Sequence, residues 1–263
     1  VNRFGPSIEI LVKLLDPEQR LPVHFHPNKK FAKEHLSLNH GKTEAWVILE
    51  APKGAGVGLG FKKEMDPKVI AGWVANQNYQ ALLDSLEKFE VKAGDTVFVP
   101  AGTPHSIDSG IFLLELQEPT DLSALLEWHD FAVDGFKDGH LGIGFDLVLQ
   151  SLNYQPLTND VKTAVVRKSI FPNPRGAKLF SDIADPYFRA DYIGNSSQEI
   201  EAGFAITLIL EGSGKIYFAN ETEVEISKGD AVAIPHSAGS WKISGATAIT
   251  CRPPLSEAAK LAI

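Results

Sequence analysis

Disulfides, membrane-spanning runs and basic surface are what this sequence has little of. The 263 residues include one cysteine, Cys251, so no disulfide can form within the chain. A reducing compartment, the cytoplasm, is therefore expected. No apolar run reaches the ~18 residues that read as a bilayer span, and no charged-then-apolar signal segment opens the chain. Lys and Arg number 25 against 33 Asp and Glu, a formal charge of −8. With no basic stripe either, neither nucleic acid nor an anionic membrane is an expected partner. Methionine occurs once, as Met65, and the first residue is Val1, so the natural start is expected to lie upstream.

What is present is short and β-rich. Hydrophobic residues make up 44% and charged residues 22%, ordinary for a globular chain with a sizeable core. Runs such as EAWVILE (44–50), DTVFVP (95–100), GIFLLELQ (110–117), AITLILEG (205–212) and DAVAIP (230–235) are bounded by Gly and Pro. That pattern predicts a sandwich or barrel rather than alternating strands and helices. The exception is 66–90, where Val69, Ile70, Trp73, Val74, Leu82, Leu83 and Leu86 fall at helical spacings, predicting one or two inserted helices. LSEAAKLAI (255–263) reads as a short terminal helix.

A weak internal repeat pairs VKAGDTVFVPAGTPHSI (91–107) with ISKGDAVAIPHSAGSWKI (226–243). Each has a Gly-Asp turn, a short, mostly apolar strand and a proline. Two related β units predict two barrels side by side: 1–150 with the helical insert, then a connection over 151–185 rich in Pro, Asn and Gly and expected to wrap the surface, then 186–263.

The chemistry gathers in the first unit. LPVHFHPNKK (21–30) places His24 and His26 two apart, on one face of a strand, with Pro22 and Pro27 predicting a short or edge strand. An isolated pair of this kind reads first as two partly exposed edge-strand histidines. GKTEAWVILE (41–50) then sets Glu44 at the head of an apolar strand, and GDTVFVPAGTPH (94–105) ends on His105 after a Gly- and Pro-shaped turn.

That last segment resembles the second sequence motif of the cupin superfamily. The resemblance implies two cupin-type β-barrels (jelly rolls) and one divalent metal ion held by His24, His26, Glu44 and His105. Zinc stands first, with Mn, Fe, Co or Ni suited to the same donors. LVKLLDPEQRLPVHFHP (11–27), GKTEAWVIL (41–49), KAGDTVFVPAGTPHSI (92–107) and LLELQEPTD (113–121) together resemble the type I mannose-6-phosphate isomerase family. Membership would imply aldose–ketose isomerisation of a sugar phosphate through a cis-enediol, with Lys42, Glu115 and Asp121 at its active-site lysine and acidic positions.

The departures from the family pattern are specific. His24 stands where glutamine is usual, Pro22 where serine is, and Ile107 where an aromatic hydroxyl is common. Leu125 takes the place of an arginine, which leaves the phosphate-binding groups unassigned; Arg167, Arg175, Arg189 and Arg252 read otherwise as surface residues. Isomerisation of a different or non-phosphorylated sugar, cupin oxygenase chemistry and sugar binding without catalysis are the alternatives. The second barrel is expected to be metal-free, since His236 has no partners at ligand spacing. His35 and His40 read as polar-loop residues, HLGIGF (140–145) lacks the order of a nucleotide loop, and Trp128 is as consistent with core as with a sugar platform. The oligomeric state is left open.

Overall fold

The computed structural model describes residues 7–194 and 198–255. The chain is mainly β and its sheets are antiparallel, as expected. The first unit runs through β1 (Leu11–Leu15), β2 (His24–Phe25), α1 (Lys29–Leu36), β3 (Glu44–Glu50), β4 (Gly56–Phe61), α2 (Pro67–Ala75), α3 (Tyr79–Ser85) and β5 (Leu86–Glu90). It continues with β6 (Thr96–Val99), β7 (His105–Ile107), β8 (Phe112–Gln117) and β9 (Ala124–Leu125), then the short helices α4 (Gly135–Asp138) and α5 (Phe145–Val148). One five-stranded sheet has the order β1-β8-β3-β6-β10, where β10 is Val166–Arg167; the other has the order β5-β4-β7-β2-β9.

The helical insert forms where the periodicity places it. Asp66 caps α2 by accepting from the Lys68 N–H at 2.8 Å, with Pro67 in the first turn, and Asn78 caps α3. The periodic stretch ends earlier than its apolar spacing suggests, because Leu86 opens β5 and is fully buried there. A further helix, α1, follows the histidine pair. Asn28 accepts from the Phe31 N–H, Ser37 closes the helix in the left-handed region, and Phe31 and Ala32 are its buried residues. His35 is therefore helical rather than in a loop, its ring tilted against that of Phe31 at 4.5 Å.

The segment after 150 does more than cross a surface. It forms α6 (Asn159–Val165), β10 and β11 (Ala177–Lys178), and it buries Val165, Phe171, Leu179 and Phe180. The Pro, Asn and Gly content obscures these apolar side chains, which close a core shared by both units. One continuous cluster joins Val47, Phe98 and Leu114 to Phe188, Tyr192, Leu208 and Cys251.

The second unit consists of β12 (Arg189–Ile193), β13 (Ala205–Phe218), β14 (Glu223–Ser227), β15 (Ala231–Ile234) and β16 (Trp241–Arg252). They form one sheet of order β11-β12-β16-β13-β14, with β15 also on β13. Its own core holds Ile193, Ile209, Ile226, Trp241 and Ala248. The sequence repeat corresponds to a repeated turn. Gly94 and Gly229 each have φ +91, a conformation that favours glycine. The Asp after each glycine accepts a backbone N–H three residues back, Asp95 from Lys92 and Asp230 from Ser227. Asp95 also accepts from the Ser169 N–H and pairs with Lys168 at 3.1 Å, fastening the connection to the first barrel. The terminal helix expected over 255–263 lies outside the described residues apart from Leu255. Among the described residues no helix is long and apolar enough to cross a membrane.

Candidate metal and isomerase site

Strand register brings the histidines together. β2 is short, as the flanking prolines predict, but it is internal: β7 lies on one side and β9 on the other. His24 sits directly opposite His105 and, on its other side, Leu125. His26 follows two residues later. Glu44, at the start of β3, lies opposite Gln117 on β8 and Val99 on β6. Ring nitrogens of His24, His26 and His105 all lie within 4.8 Å of one another.

The tautomers are set by backbone carbonyls. Nδ1 of His24 lies 2.8 Å from the Pro22 carbonyl, that of His26 2.5 Å from Leu122 and that of His105 2.9 Å from Thr103. A carbonyl only accepts, so each Nδ1 carries the proton and each Nε2 turns a lone pair inward. Nε2 of His24 and His105 face one another at 3.0 Å. Nε2 of His26 is 3.1 Å from one oxygen of Glu44, and Nε2 of His105 is 3.3 Å from the other. The Nε2 of His26 and Oε2 of Glu44 are buried and make no hydrogen bond despite their closeness, as expected of two acceptors.

Burial, reinforced by His105 and His26, pushes the His24 pKa well below its usual value, and burial takes His26 down to about 4. Both rings are neutral in the neutral range. Burial works against the Glu44 carboxylate, but His26 and Lys42 outweigh it and hold the pKa well below normal. Because His26 is itself neutral, Lys42 at 3.1 Å is the partner that matters. Converging ring nitrogens and a buried carboxylate are the donor set that a divalent cation takes.

The three expected acid–base residues lie beside it. Lys42 is 4% exposed; burial opposes its charge, while Glu44 and Glu115 raise its pKa overall. Glu115 faces Trp46 across β8 and β3, and burial together with the neighbouring Glu44 charge pushes it up to about 8. Asp121 sits at the rim, its side chain 73% exposed, 2.7 Å from Lys13 and 3.9 Å from Lys42; the Lys13 hydrogen bond lowers its pKa. The Thr43 N–H donates to Glu118 and the Thr120 hydroxyl to the Gly41 carbonyl, locking the 118–121 turn against the Lys42 segment.

Two residues beyond the sequence reading belong to this neighbourhood. Lys13, on β1, also approaches Glu115 at 3.7 Å; its signal was a lone cation in the apolar strand LVKLL. Glu127 is fully buried, pairs with Arg20 and accepts from the Val23 N–H at 2.9 Å, next to His24. No pattern announces it. Trp128 packs on Phe145 and Phe136 in a core. His40 lies 3.4 Å from Glu9. Arg175, Arg189 and Arg252 line a cavity of the second unit.

No family model matches the chain. Among curated proteins, a mannose-6-phosphate isomerase of Streptococcus mutans is 28% identical over 251 residues, covering 93% of this chain and 73% of its own length. One from Bacillus subtilis is 25% identical over 255 residues, covering 92% and 73%. Among solved structures, the mannose 6-phosphate isomerase from Bacillus subtilis superposes with a TM-score of 0.72 at 21% identity over 94% of this chain and 76% of that one. The fold is that of the phosphomannose isomerases. A mannose 6-phosphate isomerase bound with zinc and yttrium shares that phosphomannose isomerase fold at TM-score 0.68 and 15% identity, over 97% of this chain and 81% of that one. The resemblance read from the sequence is thus borne out at the level of fold and relatives.

Proposed function

We propose that the chain is a metal-dependent aldose–ketose isomerase that interconverts mannose 6-phosphate and fructose 6-phosphate, working in the cytoplasm on a small sugar phosphate. The observation that carries this reading is the inward-facing histidine triad with Glu44, set beside the Lys42–Glu44 ion pair and Glu115. His24, His26, His105 and Glu44 are the proposed ligands, with zinc proposed first because one neighbour of the same fold is bound with zinc. When bound, the ion polarises the sugar carbonyl and offsets charge that develops on its oxygen.

The chain's own groups supply the rest. Glu115, up to about 8, carries a proton at neutral pH and can exchange it with a substrate oxygen or carbon without a large driving-force penalty. Lys42 holds Glu44 ionised and keeps a fixed positive charge beside the pocket. Asp121, ionised at the rim and paired with Lys13, is placed to orient sugar hydroxyls as they enter. Burial of the ligand set keeps water away from the proton being moved.

Supplying mannose 6-phosphate to metal-loaded protein and following fructose 6-phosphate tests the proposal. Absence of turnover with zinc, manganese and cobalt would sink it. A second reading, isomerisation of an uncharged sugar, is favoured by Leu125: this apolar side chain is the cross-strand neighbour of His24, and both nearby lysines are already committed to carboxylates. Turnover of free mannose with none of the phosphate ester would select it.

A further inference from the structure

The two units can be laid over one another strand by strand. In the first, the order is β1-β8-β3-β6; in the second, it is β12-β16-β13-β15. The registers correspond. Glu44 faces Val99 as Ala205 faces Ile234. Trp46 faces Glu115 as Thr207 faces Thr250, and Lys13 faces Glu115 as Asp191 faces Thr250. Leu11 faces Gln117 as Arg189 faces Arg252.

This correspondence shows what replaced the metal site. Ala205 stands at the metal carboxylate's place and Arg252 at that of Gln117 beside it. Asp191 and Thr250 take the positions of Lys13 and Glu115. Because strand residues two apart share a face, Arg189, Asp191, Thr250 and Arg252 lie on the same face as Ile193 and Ala248, which belong to the second unit's core. The layer that gathers acceptors for a cation in the first barrel gathers guanidinium groups in the second.

Those groups line a cavity of about 560 Å³, to which the connecting segment adds Arg175 and Lys178. That volume is within the range of small-molecule sites. Some of the local charge is already spent. Lys178 is held by Asp182 and Asp185 at 2.6 and 2.7 Å, and Glu199 and Glu201 add two carboxylates to the lining. Arg189 is positioned by donation from its Nε to the Pro253 carbonyl at 3.0 Å. Arg252 gives one terminal nitrogen to Asp191 at 2.6 Å, while its buried Nε has no hydrogen-bond partner among the described residues. Arg175, Arg189 and Arg252 reach the cavity from the connection, β12 and β16, and the planar fork of a guanidinium matches oxyanions of phosphate geometry.

We propose that the mouth of the second barrel is an anion site for a small phosphate monoester, bound by Arg175, Arg189 and Arg252. The space beyond one phosphate group accommodates a polar organic body, for which Gln198, Glu201 and Thr250 supply hydrogen-bonding groups.

The test is calorimetric titration of the metal-loaded full chain with inorganic phosphate, with acetate as a carboxylate probe in a parallel arm. The variants are R175Q/R189Q and, for the first barrel, K13M. Saturable phosphate binding is expected in wild type and K13M, weakened at least about tenfold in R175Q/R189Q. Phosphate should raise the melting temperature of wild type more than that of R175Q/R189Q, with metal content unchanged between them. Acetate should bind far more weakly than phosphate. Three outcomes overturn the proposal: no binding to wild type at roughly 10 mM phosphate, equal affinity in wild type and R175Q/R189Q, or complete loss of binding in K13M, which would assign all bound phosphate to the first barrel. Acetate binding as tightly as phosphate overturns the monoester assignment.

Discussion

His24 and His105 are cross-strand partners whose Nε2 atoms meet at 3.0 Å with both Nδ1 atoms turned to backbone carbonyls. Two lone pairs at that separation repel unless a cation lies between them. The backbone thus imposes an arrangement that a bound ion would satisfy, and the first four expectations concern how that arrangement is held.

Replacing His26 and His105 by alanine removes two of three imidazoles without touching the strand backbone. Removing only a hydrogen-bond partner of a metal ligand typically costs ~10–100-fold in metal affinity, so the double variant should lose more than about a hundredfold. Metal per chain after dialysis, measured by elemental analysis, checks it. Wild-type occupancy in the variant would refute the assignment.

Acid should release the metal late. Protons compete for Nε2, yet burial holds His26 down to about 4, so retention is expected at pH 5 and loss as pH approaches 4. The metal-free protein should respond over a wider window. Below about 6.5 the unfolded chain takes up protons on His24 and His26 that the folded chain refuses. Stability contributed by these depressed values is full above that pH and falls as pH drops towards 4. Chemical denaturation at a series of pH values should show the decline, and a flat profile would contradict it.

Lys42→Met leaves buried Glu44 without its cation and removes the positive charge felt by Glu115. Turnover of the proposed reaction should fall by about 10²–10⁴-fold. Zinc titration of the same variant separates loss of chemistry from loss of metal: the His ligands remain, so occupancy at saturating zinc should persist.

Arg20→Met isolates a buried charge instead. Glu127 is 0% exposed and serves both Arg20 and the Val23 N–H. Breaking a buried pair from one side costs roughly 3–5 kcal/mol. Denaturant unfolding should show that loss, together with weaker metal binding because Val23 adjoins His24. Unchanged stability would mean that Glu127 is held by the backbone alone.

Gly94→Ala and Gly229→Ala form a matched pair. Both positions have φ +91. A Cβ at Gly94 would lie 2.2 Å from the Phe171 carbonyl oxygen, whereas nothing lies within 4 Å of one at Gly229. The second variant should lose only backbone strain, about 1 kcal/mol, and the first distinctly more, about 3 kcal/mol or above. Equal melting temperatures would refute the contact.

The candidate ligand set was legible because its spacing is local: two residues apart on a strand for His24 and His26, a turn of fixed composition before His105, a strand head for Glu44. The Gly-Asp repeat was legible for the same reason. Lys13, Glu127 and the buried Phe171 and Leu179 were not, since each acts through a partner far along the chain and carries no local period. β2 looked like an edge because prolines flank it; its second neighbour, β9, is two residues long and leaves almost no pattern. α1 was missed because its cap, Asn28, follows a proline inside a polar run.

The cluster that joins Val47, Phe98 and Leu114 to Tyr192, Leu208 and Cys251 has an evolutionary side. A gene that discarded its second half would uncover the greasy back of the half that holds the histidines. Residues at the mouth of the second barrel can therefore change without uncovering that cluster, whereas losing the barrel itself would expose it.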